Sequence, residues 1–468
     1  MFEKLLKWLR SMLSQTFGQG DNADIVISDK MSTAIALWAR MYEDGGPWCG
    51  KDIHSLRLPA AIASEFARLV TLEMQVSLSG GARATFLQQQ LLPFLSSIRQ
   101  HTELACALGG AVFKPYVTQQ GLCIDMVQGD AFFPTTFDTS NRMTGAIFVQ
   151  QIKRKGVIYT RAEHHEYNAG IHTITNKAFA SRSSFSLGSP IDLTSVPEWA
   201  DLEPEASIEN VDRPLFAYFR VPQANRQDRH SPLGTSVYAE AADLIRDADE
   251  QYGKYLWEFD GGQMAVDVAE DLLEHKADGE ITVPKLQKRL YRRRNVPSKD
   301  QNFYQIFAPQ LRDASYRAGL NTILQRIEFQ CGLAYGTLSD PQDVAKTATE
   351  ITASRQRSYS TVHDIQKALQ SAIDDLLYAM DKLATLYNIA PQGFYTAAYD
   401  WDDSVVNDPM QRKQMFWQYV ASGKFPFWRY LMEFEGYSED DAKAIAAEQA
   451  EQQASLGNPY GFSRGGDA

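Results

Sequence analysis

At 468 residues the chain has room for two or three domains, and its 44% hydrophobic and 11% aromatic content excludes wholesale disorder. The net charge of −12, from 46 basic and 58 acidic residues, argues against a surface that grips nucleic acid indiscriminately, though not against one that handles DNA without holding it. Cys49, Cys106, Cys123 and Cys331 form no CxxC pair and no metal spacing, which fits reduced thiols, and the sequence contains no apolar run of about 18 residues that would predict a spanning helix.

The first stretch, MFEKLLKWLRSMLSQTF, has Lys7 and Arg10 inside its apolar series. That interruption favours an amphipathic surface or packing helix over a signal peptide or membrane anchor. Residues 32–106 read as mostly helical. From Gly109 the apolar period shortens to two, and short β-rich runs alternate with Gly, Asn and Asp. This predicts an antiparallel β-meander with hairpin turns at Lys155-Gly156 and Asn168-Ala169-Gly170. Helices first and a sheet after them make an α+β unit of the first 230 or so residues. Residues 187–235 are loop-rich, with a strand expected inside VDRPLFAYFRVP.

A helix is then expected from near Ser236 to Gly261-Gly262, with Val237, Ala241, Leu244, Ala248, Tyr252, Tyr255 and Phe259 on one face. The other face carries Asp243, Arg246, Asp247, Glu250 and Lys254. Residues 263–310 read as a small module of mixed helix and strand carrying the basic run KLQKRLYRRRNVPSKD. A second helix of matched length follows over 311–331, so the pair brackets the module like a stalk with a knob.

The longest helical tract spans 311–388. Tyr316, Leu320, Ile323 and Ile327 form one helical stripe; Val362, Ile365, Leu369, Ile373, Leu376, Met380 and Leu383 form another. The punctuated loop CGLAYGTLSDPQDVAKTATE separates them. No glycine or proline occurs from Asp343 to Tyr387, enough for a straight helix of ~68 Å. A bend is expected at TASRQRSYST, where hydroxyls compete for backbone groups. So long an apolar stripe predicts either a large core or neighbouring copies of the chain. A short strand and three short helices follow, the last capped by Ser438 with Asp441, and then a tail whose composition predicts disorder.

Candidate chemistry is sparse. GGPWCGKD nearly matches a phosphate-binding loop, but Asp52 stands where Ser or Thr belongs and a helix precedes it, so a loop between helices is expected. Glu163, His165 and Asp400 are the only nominees for a metal-dependent enzyme. Neighbours on a strand diverge, so EHHEY alone cannot converge on one ion. The sequence predicts no enzyme, no cofactor and no metal. The strongest basic cluster is Lys285, Lys288, Arg289, Arg292, Arg293 and Arg294, readable as a contact for an acidic partner or as a solvated helix face.

Three stretches carry a resemblance: VPEWADLEPE (196–205), FAYFRVPQANRQDRHSPLGTSVYAEAADLIRDADEQY (216–252) and KTATEI (346–351) with its downstream helix. Together with the order of elements, they make the chain similar to the portal (head-to-tail connector) proteins of tailed bacteriophages, in the siphophage branch of Gram-positive hosts. The resemblance implies a portal-type α+β fold: an α+β wing over 1–233, stem helices over 234–262 and 310–332, a small α/β clip over 263–309, a tunnel loop over 333–345, a long kinked helix over 346–389, a helical crown over 390–450 and a disordered tail over 451–468. It implies a homo-oligomeric ring, a dodecamer, at one capsid vertex of the virion, assembled in the host cytoplasm. Double-stranded DNA would pass through during packaging and ejection. The terminase large subunit, the head-to-tail adaptor, and the major capsid and scaffolding proteins would be partners, with no membrane involved. Tyr335, Gly336, Thr337, Leu338 and Asp340 would lie at the DNA channel, the basic cluster would face a clip partner, and Asp243, Asp247 and Glu250 would form an acidic stem face. The other reading of the same sequence is a helical structural or adaptor protein of a virion with no conduit role.

Overall fold

The structure is a computed structural model that describes residues 25–51, 53–119, 121–183, 188–269, 274–275, 281–282, 291–294, 304–340, 348–401, 409–422 and 424–456. The N-terminal amphipathic stretch, Lys285, Lys288, Arg289, the 341–345 part of the loop and the last residues of the tail lie outside the described residues. The fold mixes helices and sheets in two units, residues 1–400 and 401–468.

The first unit opens with α1 (Asp29–Asp44). Ser28 caps its start, its hydroxyl accepting the Met31 N–H at 3.1 Å, and Gly45 ends it in a left-handed conformation. GGPWCGKD therefore begins at a helix C-terminus, as the sequence suggests, and lacks the preceding strand a phosphate loop requires. Next come α2 (Leu58–Thr71), β1 (Met74–Gly80), α3 (Ala82–Ser96) and α4 (Ile98–Leu108). The helix read through MQVSL is thus corrected to a strand. Its partner is β16 (Tyr395–Trp401), more than three hundred residues away, a tertiary contact that overrides local pattern.

The meander forms as expected but splits into two sheets. The smaller joins β2 (Gly110–Thr118), β3 (Gly121–Gln128) and β10 (Ala217–Arg220), with β10 antiparallel to β2. The larger runs β4 (Phe132–Phe137), β5 (Met143–Arg154), β6 (Val157–Asn168), β7 (Ile171–Ser181) and β8 (Ser189–Ile191), with β9 (Glu205–Glu209) also on β7. Lys155-Gly156 and Ala169-Gly170 turn with positive φ at both positions, as two-residue hairpins demand. One glycine pair is obligatory: a Cβ on Gly109 would lie 2.6 Å from the Gly234 carbonyl oxygen, where α4 turns into β2.

A 3₁₀ turn (Ala239–Ala241) leads into α5 (Ala242–Gly261), so the helix starts six residues later than its sequence pattern suggests. Between α5 and α6 (Asp313–Cys331) the described regular elements are strands: β11 (Ala265–Ala269), β12 (Glu274–His275), β13 (Ile281–Thr282), β14 (Tyr291–Arg294) and β15 (Tyr304–Phe307). β11 lies parallel to β14 and antiparallel to β15. Then α7 runs unbroken from Ala348 to Leu386, 39 residues. Ser360 and Thr361 return their hydroxyls to the carbonyls four residues back without ending it.

The apolar stripe of α7 is buried in the chain's own core. Ile365, Leu369, Ile373, Leu376 and Met380 have no exposed surface, and the helix packs on α2, β2 and β10. Of the two outcomes the sequence allows for this stripe, a large core or neighbouring copies, the first holds: the chain's own core buries it.

The second unit holds α8 (Pro409–Ala421), α9 (Phe427–Glu435) and α10 (Glu439–Leu456). Phe416 lies against Phe425 and Phe434, with ring centroids 5.0 and 5.1 Å apart. Ser438 caps α10 as expected: its hydroxyl accepts the Asp441 N–H at 3.2 Å and donates to the Asp441 carboxylate at 2.7 Å.

Candidate functional site

The helices α5 and α6 run antiparallel. Glu258, near the end of α5, accepts the Arg312 guanidinium at 2.7 and 3.1 Å and the Arg312 backbone N–H at 3.1 Å, just before α6 begins. These hydrogen bonds hold the Glu258 carboxyl below its ordinary value. Nearer the middle of α5, Asp249 is fully buried. It accepts the Trp48 indole at 2.8 Å and the Leu56 N–H at 2.7 Å, tying α5 to the loop after α1. Burial raises its carboxyl, and the Leu56, Trp48 and Cys49 hydrogen bonds offset part of that rise. Both acids therefore serve the fold. Asp243 and Asp247 are exposed and Glu250 is half-buried. Arg246 lies 3.4 Å from Asp243 and 3.8 Å from Asp247.

Among the described residues, this pair and its flanks carry several exposed apolar side chains. Trp257 is 67% exposed, Met264 57% and Phe329 47%, and Phe259 and Leu311 are also exposed. Phe259, grouped by the sequence with the packing face, thus points outward.

After α6 the chain folds back on the helix it has just left. Gly332 ends α6 in the left-handed region, and a Cβ there would lie 2.7 Å from Thr361 Oγ1 on α7. Glu328, with no exposed surface, accepts the N–H groups of Gly336 (3.1 Å), Leu338 (2.6 Å) and Ser339 (2.8 Å) and the Ser339 hydroxyl (2.8 Å). Asn321, two turns earlier, accepts the Asp340 N–H at 2.7 Å. Tyr335 and Leu338 are half-buried; Thr337 and Asp340 are exposed. The five loop residues named from the resemblance are thus brought together in one latched turn. The latch residues, Glu328 and Asn321, escaped the sequence reading. The available signal was a carboxylate and an amide seven positions apart, each beside a stripe residue, Ile327 and Leu320.

Arg292, Arg293 and Arg294 lie on β14, a strand and not the face of a helix. Asp400 is exposed on β16.

Glu163 and His165 do share a face of β6, and His172 joins them from β7. His165 Nε2 is 2.7 Å from Glu163, and its Nδ1 is 3.0 Å from His172 Nε2. Lys114 on β2 donates to Glu163 at 2.6 Å, and Arg161 stands 2.9 Å from the same oxygen. Burial pushes the Glu163 carboxyl up, but Lys114, the His165 hydrogen bond and Arg161 pull it well below its ordinary value. Burial lowers both histidines, His172 strongly. Two cations already neutralise the carboxylate, so the donor set does not suit a divalent metal. The cluster pins the two sheets to each other.

No family model matches the chain, and no curated protein matches it. Among solved structures it is similar to a chain from the neck of a native GTA (gene transfer agent) particle computed with C12 symmetry: 11% identity, 93% of this chain and 98% of that chain covered, TM-score 0.41. A chain from the neck of an empty GTA particle computed with C6 symmetry gives 11% identity, coverage of 88% and 94%, and a TM-score of 0.40. Likenesses this distant define no family for the chain. Among the described residues no helix is long and apolar enough to cross a membrane.

Proposed function

We propose that the chain is a portal-type protein. Its copies close into a ring at a capsid vertex, double-stranded DNA passes through the ring, and the β module between α5 and α6 receives the terminase large subunit and later the head-to-tail adaptor. One observation carries this reading: the antiparallel α5–α6 pair leaves Trp257, Phe259 and Phe329 exposed in the single chain, the condition a subunit seam relieves. The sequence stretches that resemble portal proteins supply the rest. The exposed Asp243 and Asp247 suit a conduit, because a basic wall would bind the phosphate backbone and an acidic one repels it.

One observation favours a non-conduit structural or adaptor role. The stripe of α7, the longest apolar face in the chain, is satisfied without a partner.

The two readings part at the terminase. Purified terminase large subunit should bind the full chain, and binding should be lost when residues 263–309 are replaced by a short Gly/Ser linker while the far-ultraviolet circular dichroism of the helices is retained. Absence of binding to the intact chain favours the adaptor role.

A further inference from the structure

A cavity of about 250 Å³ opens where three elements of the first unit meet: the β4–β5 turn, the outer face of β10 and the middle of α7. Arg142 comes from the turn, Tyr218 and Arg220 from alternate positions on β10, and Ser371 and Asp375 from adjacent turns of α7. The turn is fixed from within: Asp138 accepts the Ser140 and Arg142 N–H groups, each at 2.8 Å. Asp375 is taken by Arg213 at 2.7 Å, with Arg142 at 3.7 Å. Among the described residues no carboxylate pairs with Arg220, and its Nε is sealed from solvent with no hydrogen-bond partner. Tyr218 walls the cavity with its side chain, its hydroxyl being engaged elsewhere by the Gly234 N–H at 3.1 Å.

The terminal nitrogens of Arg220 are not sealed in this way, and a guanidinium that lines a cavity with no carboxylate paired to it there is open to an anion. Guanidinium groups match the planar or tetrahedral oxygens of carboxylate and phosphate. We propose that this cavity is an oxyanion site, taking a phosphate or carboxylate group between Arg142 and Arg220. The same chemistry has two sources, a free anion or an acidic side chain of a second copy of this chain.

Titration calorimetry of the full chain with sodium phosphate, against sodium chloride at equal ionic strength, tests the site. Saturable phosphate binding is expected, weakened ~10-fold or more in both Arg220→Gln and Arg142→Gln. Arg142 stands on an exposed turn, so its variant reports even where Arg220→Gln fails to fold. Light scattering in parallel separates the sources. Phosphate that binds without changing particle size identifies a free anion; phosphate that binds and dissociates oligomers identifies a carboxylate of a neighbouring copy. No saturable binding, or equal binding by wild type and the folded variants, overturns the proposal.

Discussion

Glu328 is a buried carboxylate with no cation against it among the described residues; three backbone N–H groups and one hydroxyl meet its charge. Glu328→Ala should orphan those donors and cost ~3 kcal/mol. Hydrogen exchange should then accelerate at Gly336, Leu338 and Ser339 while the amides of α7 stay protected; unchanged exchange would show that the loop does not depend on the latch. Deleting the loop outright is a poorer probe of its role, because it would strip a buried carboxylate of every donor. In the sheet pin, both histidines have folded values below their unfolded one, so below about pH 6.5 the unfolded chain binds more protons than the folded one. Their contribution is whole above that pH and lost as pH falls beneath it. Glu163, also depressed, extends the loss below its ordinary carboxylate value. Asp249, raised by burial, works the other way. Urea midpoints should therefore fall on acidification from pH 7 to 5, and the slope should flatten in His165→Gln/His172→Gln; a flat wild-type profile would contradict the network. Lys114→Met, which removes one of two cations from buried Glu163, should cost ~3 kcal/mol at pH 7 in the same assay. Reading EHHEY as diverging neighbours passed over the two-residue spacing that puts Glu163 and His165 on one strand face. Spacing could not show Lys114 arriving from another sheet, because that meeting is tertiary.

At the scale of elements, legibility follows the source of the order. The α7 stripe was readable because a 3.6-residue period records burial directly: all seven stripe residues, Val362 to Leu383, are at most 8% exposed. The hairpin turns, the Ser438 cap and the end of α5 at Gly261-Gly262 were readable because their chemistry is local. β1 was not, since Met74–Gly80 is a strand only by pairing with β16. The start of α5 was misread because Val237 and Ala241 are buried by a loop and a 3₁₀ turn, not by a helix. Two substitutions separate an internal face from an external one. Leu376→Asp places a charge where nothing is exposed and should cost several kcal/mol, ~4 or more, read as a large fall in thermal midpoint. Trp257→Ser, on a side chain 67% exposed, should move the stability of dilute protein by no more than about 0.5 kcal/mol yet weaken self-association. If Trp257→Ser leaves association untouched, the seam lies elsewhere.

For the whole molecule, the internal satisfaction of α7 moves the weight of the ring proposal onto the α5–α6 pair and the apolar side chains it leaves in water. A chain of net charge −12 that assembles through such a seam should associate more tightly as salt rises, since screening reduces the repulsion between acidic copies while apolar contact persists. The most direct test is negative-stain electron microscopy of the purified full chain, viewed down the particle axis, with mass measured by light scattering on the same sample. The proposal predicts closed rings of about twelve copies around a hole wide enough for duplex DNA. A homogeneous monomer at micromolar concentration, with no ring in any field, would contradict it.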